Sequence, residues 1–331
     1  MRNVRGFTLI ELMVAMLLGL IVIAGVVSVF LAGQQTYRTN DALGDVQESS
    51  RIAFELLARD IRDAGLTGCD NSSGRVANDL NDTSLWYADW NDALYGYDDA
   101  TKDPALSGLT GSGAPVAGQS SIHTISTASS DVVVSFVPGQ GQGSAADFHI
   151  NATSTQLATG QLIMVCDFDH ATILQITSYA GNDVVVHNSG NKVSPGNCSD
   201  GLGYPTLCTA NGNVYSFQNN SRIAIMSADD WYIGTNPVGT TSLYRLHVSY
   251  GATGVSTTPQ EMVRNVTGMT ITYLQPPAAK FVTATNVTDW AAVSAVQMTL
   301  KVESTNQRAG TDQKPLTRAF SYTTTVRNRV Q

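Results

Sequence analysis

An unbroken apolar run beside the N-terminus constrains this chain more than any other feature. Across residues 7–32 the polar side chains are Thr8, Glu11 and Ser28, with glycines at 19 and 25. About 25 residues rising about 1.5 Å each cross a hydrocarbon core of about 30 Å. Arg2 and Arg5 precede the run, so the positive-inside rule keeps the N-terminus cytoplasmic and puts the rest of the chain across the membrane. A secretory signal would have a shorter apolar core followed by a small-residue cleavage site. Here the run passes directly into a polar helix. A plain anchor leaves Glu11 without a reason, because an acid at the bilayer centre costs about 2.5–3.5 kcal/mol, less towards the interface.

The helix is expected to continue beyond the membrane. No proline interrupts residues 34–64. The stretch 45–63 is amphipathic: Ala53, Phe54, Leu57, Ile61 and, just beyond it, Ala64 recur at the three- and four-residue spacings of one helical face. Arg51–Glu55, Glu55–Arg59 and Arg59–Asp63 offer i,i+4 charge pairs elsewhere on the surface. Gly44 is a weak point and Gly65 a stop signal. A continuous helix from Thr8 to Ala64 would be about 85 Å long.

After Gly65 the composition changes. Residues 66–130 are rich in Gly, Ser, Asn and Asp and read as irregular loops with few strands. From 131 onward short β patterns follow one another at 131–137, 161–165, 171–178, 183–187, 222–226, 242–248, 269–274, 293–302 and 316–326. Residues 261–265 read as a short helix or strand, and 139–144 and 251–258 as flexible loops. The expected fold class is α+β: a long N-terminal transmembrane and amphipathic helix packed on a mostly antiparallel β-sheet head. The expected division is 1–6 as leader, 7–33 as transmembrane and assembly helix, 34–65 as its amphipathic continuation, and 66–331 as the β-rich head.

Several function classes drop out. A net charge of -8 gives no basic stripe, so no nucleic-acid partner is expected. There is no nucleophile elbow, no P-loop and no H-E-x-x-H pair, so no enzyme and no cofactor is expected. The five histidines (123, 149, 170, 187, 247) read as surface or strand residues, and Asp167 as a turn residue at a strand entrance. The acids Asp89, Asp92, Asp98, Asp99 and Asp103 lack EF-hand spacing and read as solvated loop acids, so no metal is expected. Trp86, Tyr87, Trp90 and Tyr97 read as caps over the core, with an adhesive patch as the alternative.

Cys69, Cys166, Cys198 and Cys208 contain no C-x-x-C pair, which excludes a zinc ribbon. An even count in an exported head fits two disulfides, and four buried thiols are the alternative. Three connectivities are open. Cys198 and Cys208 bracket a short Gly/Pro-containing loop where a local bridge is sterically easy. That choice would leave Cys69 with Cys166, a long-range staple from the helix end to the β region.

The segment Gly6-Phe7-Thr8-Leu9-Ile10-Glu11-Leu12 resembles the type IV prepilin signature almost letter for letter. The resemblance implies that a prepilin peptidase cuts between Gly6 and Phe7 and N-methylates the new Phe7 amine. It implies that the apolar helix stays on the mature protein. It also implies that Glu11 pairs with the N-terminal amine of a neighbouring subunit during assembly. Such pairing makes a desolvated carboxylate tolerable. Losing Arg2 and Arg5 would take the side-chain charge to -10.

Three body stretches are similar to the minor pilins of the PilW family. They are Arg59-Asp60-Ile61-Arg62-Asp63-Ala64-Gly65 with Gly68-Cys69; Val165-Cys166-Asp167 leading into the strand at 171–177; and Leu243-Tyr244-Arg245, Met262-Val263-Arg264-Asn265-Val266 and the C-terminal Thr325-Val326-Arg327-Asn328-Arg329. The second of these also favours a Cys69–Cys166 link. The resemblance implies a structural subunit of the type IV pilus that helps prime assembly, at or near the tip, with parts in cell adhesion and twitching motility. Its implied partners are the prepilin peptidase, other minor pilins, the major pilin and a tip adhesin. Before assembly it would cross the bacterial inner membrane once, with a periplasmic head; afterwards it would sit in the cell-surface pilus. A type II secretion pseudopilin and an adhesive tip module are the alternatives. Many major pilins carry a proline near the position of Ser28, and this chain has none there.

Overall fold

The computed structural model describes residues 8–68, 75–137 and 146–326. Its first element, α1 (Leu9–Asp63), is a single 55-residue helix that runs through Gly44. Its buried side chains are Ala42, Val46, Ser50, Ala53, Phe54, Leu57, Ala58 and Ile61, the stripe that the three- and four-residue spacing lays along one face. Gly65 ends it with a positive φ of 72°, and its N–H turns away to the Ile125 carbonyl at 2.8 Å. Of the three i,i+4 charge pairs, Arg51–Glu55 alone approaches 4 Å among the described residues, at 3.9 Å. These side chains are solvated, where such pairs contribute little.

The head contains fourteen strands among the described residues. They are β1 (Val76–Asn78), β2 (Leu94–Tyr97), β3 (Ser121–Phe136), β4 (Asp147–Ile150), β5 (Leu162–Cys166), β6 (Ala171–Gln175), β7 (Ser178–Tyr179), β8 (Val184–Val186), β9 (Arg222–Thr235), β10 (Thr241–Gly251), β11 (Gly254–Arg264), β12 (Val266–Leu274), β13 (Ala295–Glu303) and β14 (Thr317–Thr325). β12, β13 and β14 form a three-stranded sheet, and the rest an eleven-stranded one. The long β9 organises the larger sheet, pairing with β3, β5 and β10. The β1–β6 pair is parallel; the other ladders are antiparallel. The α+β arrangement expected from the sequence is the one observed.

Two loop readings are corrected. Residues 251–258 form the end of the β10–β11 hairpin, with Gly251 opposite Gly254. β11 pairs with β10 alone among the described strands. Its outer edge asks for no further ladder bonds, which is why Pro259 is tolerated within it. Residues 261–264 continue that strand. β3 starts at Ser121, ten residues before the apolar run that signals it. Its first half is rich in serine and threonine, and these buried groups find partners: Ser121 Oγ donates to Asp103 Oδ2 at 2.6 Å, and Thr127 Oγ1 to the Leu66 carbonyl at 2.9 Å. The expected loop at 139–144 lies outside the described residues.

The helix sits against both sheets. Leu57 and Ile61 share one buried cluster with Ile122, Trp231, Ile271 and Leu300. Polar bonds fix the register along the seam. Gln35 Nε2 reaches the carbonyls of Arg308, Ala309 and Gly310 at 3.4, 3.0 and 3.1 Å, and Thr39 Oγ1 donates to Ala309 O at 2.6 Å. Thr305 Oγ1 donates to Asp45 Oδ2 at 2.7 Å. Near the far end, Trp231 Nε1 donates to Asp60 Oδ2 at 2.9 Å. Trp86, Tyr87 and Trp90 are half-buried against a separate cluster that includes Met164, Ile173 and Met226, so they cap core.

The Asp60 carboxyl is pushed up to about 6, first by burial and then by the Asp229 charge; the Trp231 N–H, Arg245 and Arg59 oppose this. A raised acid favours the folded state when protonated, so its penalty is full above about pH 6 and disappears as pH falls towards 4. Asp60→Asn is therefore expected to stabilise the full-length protein in detergent at pH 7.5, by up to about 3 kcal/mol, and by only about a third as much at pH 4.5. Chemical denaturation at the two pH values checks this. Equal destabilisation at both would show that the carboxylate is not penalised in the fold.

Candidate functional site

The start of α1 is built by two side chains. Thr8 stands in extended conformation (φ -77°, ψ 151°) as the N-cap. Its Oγ1 accepts from the Glu11 N–H at 3.3 Å. In return, Glu11 Oε2 accepts from the Thr8 N–H at 3.0 Å and from Thr8 Oγ1 at 3.1 Å. This is a reciprocal capping box, which satisfies backbone donors that the first turn leaves open. A negative charge at this end is also favoured by the helix dipole.

Beyond this turn the helix offers an apolar surface. Leu9, Ile10, Met13, Leu17, Val22 and Phe30 are among its exposed large side chains. The segment is long and apolar enough to cross a membrane. The first head contacts come at Gln35, so Glu11 projects about 36 Å ahead of the head, at about 1.5 Å per residue. In a single chain Glu11 is exposed to solvent. Both of its bonds use Oε2, leaving the carboxylate geometrically open to a cation arriving from another molecule.

Gly6 and Phe7, the residues assigned to processing and methylation, lie outside the described residues. Cys198 and Cys208 form a disulfide with Cα atoms 4.9 Å apart. The loop they close docks on β6: the Leu202 carbonyl accepts from Thr172 Oγ1 at 2.6 Å and meets His170 Nε2 at 2.8 Å. Cys166 is also disulfide-bonded; Cys69 lies outside the described residues. The Cys198–Cys208 bridge and Cys166 belong to the head, away from Glu11. Asp167 acts as a turn acid, its Oδ1 accepting from the Asp169 N–H at 2.9 Å. Asp103, read as a solvated loop acid, is instead 1% exposed. It is drawn in because it caps a buried turn and accepts from Ser121.

Thr8 is the capping side chain of this site that the apolar spacing does not announce. The pattern Thr8-x-x-Glu11 before an apolar run is a helix-start signature and could have been read directly.

Two family models match the chain. The prokaryotic N-terminal methylation motif covers residues 1–27, and the type IV pilus-assembly protein W model covers residues 230–329. The first spans the capping box and most of the apolar run. The second spans the end of β9 through β14, including both Trp231 and the loop that holds Gln35. No curated protein and no solved structure matches the chain.

Proposed function

We propose that this PilW-like type IV pilin is a minor subunit that helps prime pilus assembly and sits at or near the filament tip. The observation that carries the reading is the bare apolar helix headed by Glu11 and ending in a helix-clasping head. An exposed apolar rod of this length is covered by lipid before assembly and by other helices afterwards. The head then lies periplasmic and the N-terminus cytoplasmic, in line with Arg2 and Arg5.

In this reading prepilin peptidase removes residues 1–6 and methylates Phe7. The Phe7 amine of one subunit meets the Glu11 carboxylate of its neighbour, and each neutralises a charge that would otherwise be stranded in an apolar bundle. A minor role is supported by the size of the head, 266 residues from 66 to 331, which is bulky for a subunit repeated along a shaft. The apolar run without proline also departs from many major pilins. Other minor pilins, the major pilin and a tip adhesin are the partners such a position implies.

Glu11→Ala tests the pairing. The variant is expected to be cleaved normally yet to be depleted at least tenfold from sheared filaments, read by quantitative mass spectrometry against the major subunit. The wild type should appear there far below one copy per major subunit. Equal incorporation of variant and wild type would remove Glu11 from assembly. A wild-type chain present in equal numbers with the major subunit would remove the minor role.

A further inference from the structure

On the face of the larger sheet turned away from α1, three buried acid–base side chains meet. His123 of β3 lies directly opposite Asp230 of β9, and residues opposite each other in a ladder project to the same side. Their neighbours Ile122 and Trp231 point the other way, into the cluster that holds the helix. Asp103 reaches the same place from the turn above. Its Oδ1 accepts from the Ala105 N–H at 2.9 Å and its Oδ2 from Ser121 Oγ at 2.6 Å. A ring nitrogen of His123 and one carboxylate oxygen each from Asp103 and Asp230 lie within 4.8 Å of one another. The three residues are 4%, 1% and 0% exposed.

Hydrogen bonds from neighbouring donors do not account for this arrangement. Both Asp230 oxygens and His123 Nδ1 are buried without a donor or acceptor of their own, and the one link within the group is a proton that Asp230 can share with Asp103. Burying such groups unpaired is costly, and more so where one of them is charged. A proton shared between Asp103 and Asp230 would satisfy one oxygen of each and leave the imidazole unaided. A divalent cation would engage all three residues and cancel two negative charges together.

We propose that Asp103, His123 and Asp230 bind one divalent transition-metal ion of the zinc type. One nitrogen and two carboxylate oxygens form a borderline donor set that suits zinc, cobalt or manganese. Calcium and magnesium prefer six or more oxygens and are poorly served by it. His123 also lines a cavity of about 270 Å³ with Trp86, Asp89, Asp92 and Tyr95. That cavity has room for water as a remaining ligand, and its acidic wall would attract a cation. The ion would tie β3 and β9 to the loop that carries Asp103, independently of any filament role.

The test uses the full-length protein in detergent, stripped with chelator and then titrated with zinc or cobalt at pH 7.5. One equivalent of zinc per chain is expected, with a melting temperature raised by several degrees. Cobalt should give the visible absorption of a low-coordinate nitrogen–oxygen site. Asp230→Asn, whose amide can still bond to Asp103, is expected to bind at least a hundredfold more weakly while still melting cooperatively in chelator. His123→Gln should show the same loss and serves if the first variant does not fold. Failure of the stripped wild type to take up either metal would overturn the proposal. So would equal binding by both variants, which would mean attachment elsewhere on the surface.

Discussion

Replacing Gly6 by Asp is expected to leave the chain uncut and confined to the membrane fraction. A peptidase that cleaves between residues 6 and 7 must draw the extended backbone against its own catalytic groups. Glycine has no Cβ to obstruct that approach, whereas aspartate adds both bulk and a charge in a membrane-embedded site, where charge is costly. The effect should be close to all-or-none, because in the proposed pathway cleavage comes before methylation and filament entry. Intact-mass and N-terminal analysis read it directly. The wild type should begin at N-methylated Phe7, and the variant at Met1. A wild type beginning at Met1, or cleaved beyond residue 32, would sink the prepilin pathway for this chain.

The second large effect is expected at the helix–head seam. Trp231 is fully buried, donates to Asp60 at 2.9 Å and carries the Arg245 guanidinium 5.9 Å from its ring centre. Trp231→Ala should cost about 3–5 kcal/mol through the cavity alone. It also strips Asp60 of its indole donor, adding about 1–3 kcal/mol. Against a total stability of about 5–15 kcal/mol, this is a large share of what holds the head folded. Trp231→Phe should keep most of the packing and lose chiefly the hydrogen bond. Denaturant unfolding of the two variants in detergent separates these contributions. A loss under 1 kcal/mol for the alanine variant would mean that the seam does not hold the fold together.

Much of this architecture was legible because it follows from periodicity. The α1 stripe, the stop at Gly65 and the positions of β5, β6, β13 and β14 all emerge from apolar spacing. The failures have a common cause. β9 reads as ending at Met226, yet runs to Thr235, because Asp229 and Asp230 interrupt the apolar pattern. Asp229 is matched by His247 Nδ1 at 2.7 Å and Arg245 at 3.5 Å, while Asp230 faces Asp103 and His123. Both sets of partners are far away in sequence, so no local window reveals them. The Asp60–Trp231 bond likewise joins residues 171 positions apart. Charged residues inside a strand contradict the local rule, and such contradictions concentrate where a structure does something besides pack. At the start of α1 the position is reversed, since Thr8 and Glu11 are three residues apart and fully local.

The grip on α1 from Gln35 to Ile61 also determines how the molecule carries load. A pull along the helix axis is spread over about 40 Å of contact at once, so the carbonyl clasp, the Asp45 and Asp60 bonds and the apolar stripe resist together in shear. A sideways pull meets them one at a time, beginning at Gln35, and peels them. The joint is therefore mechanically anisotropic, strong under axial tension and weak under bending.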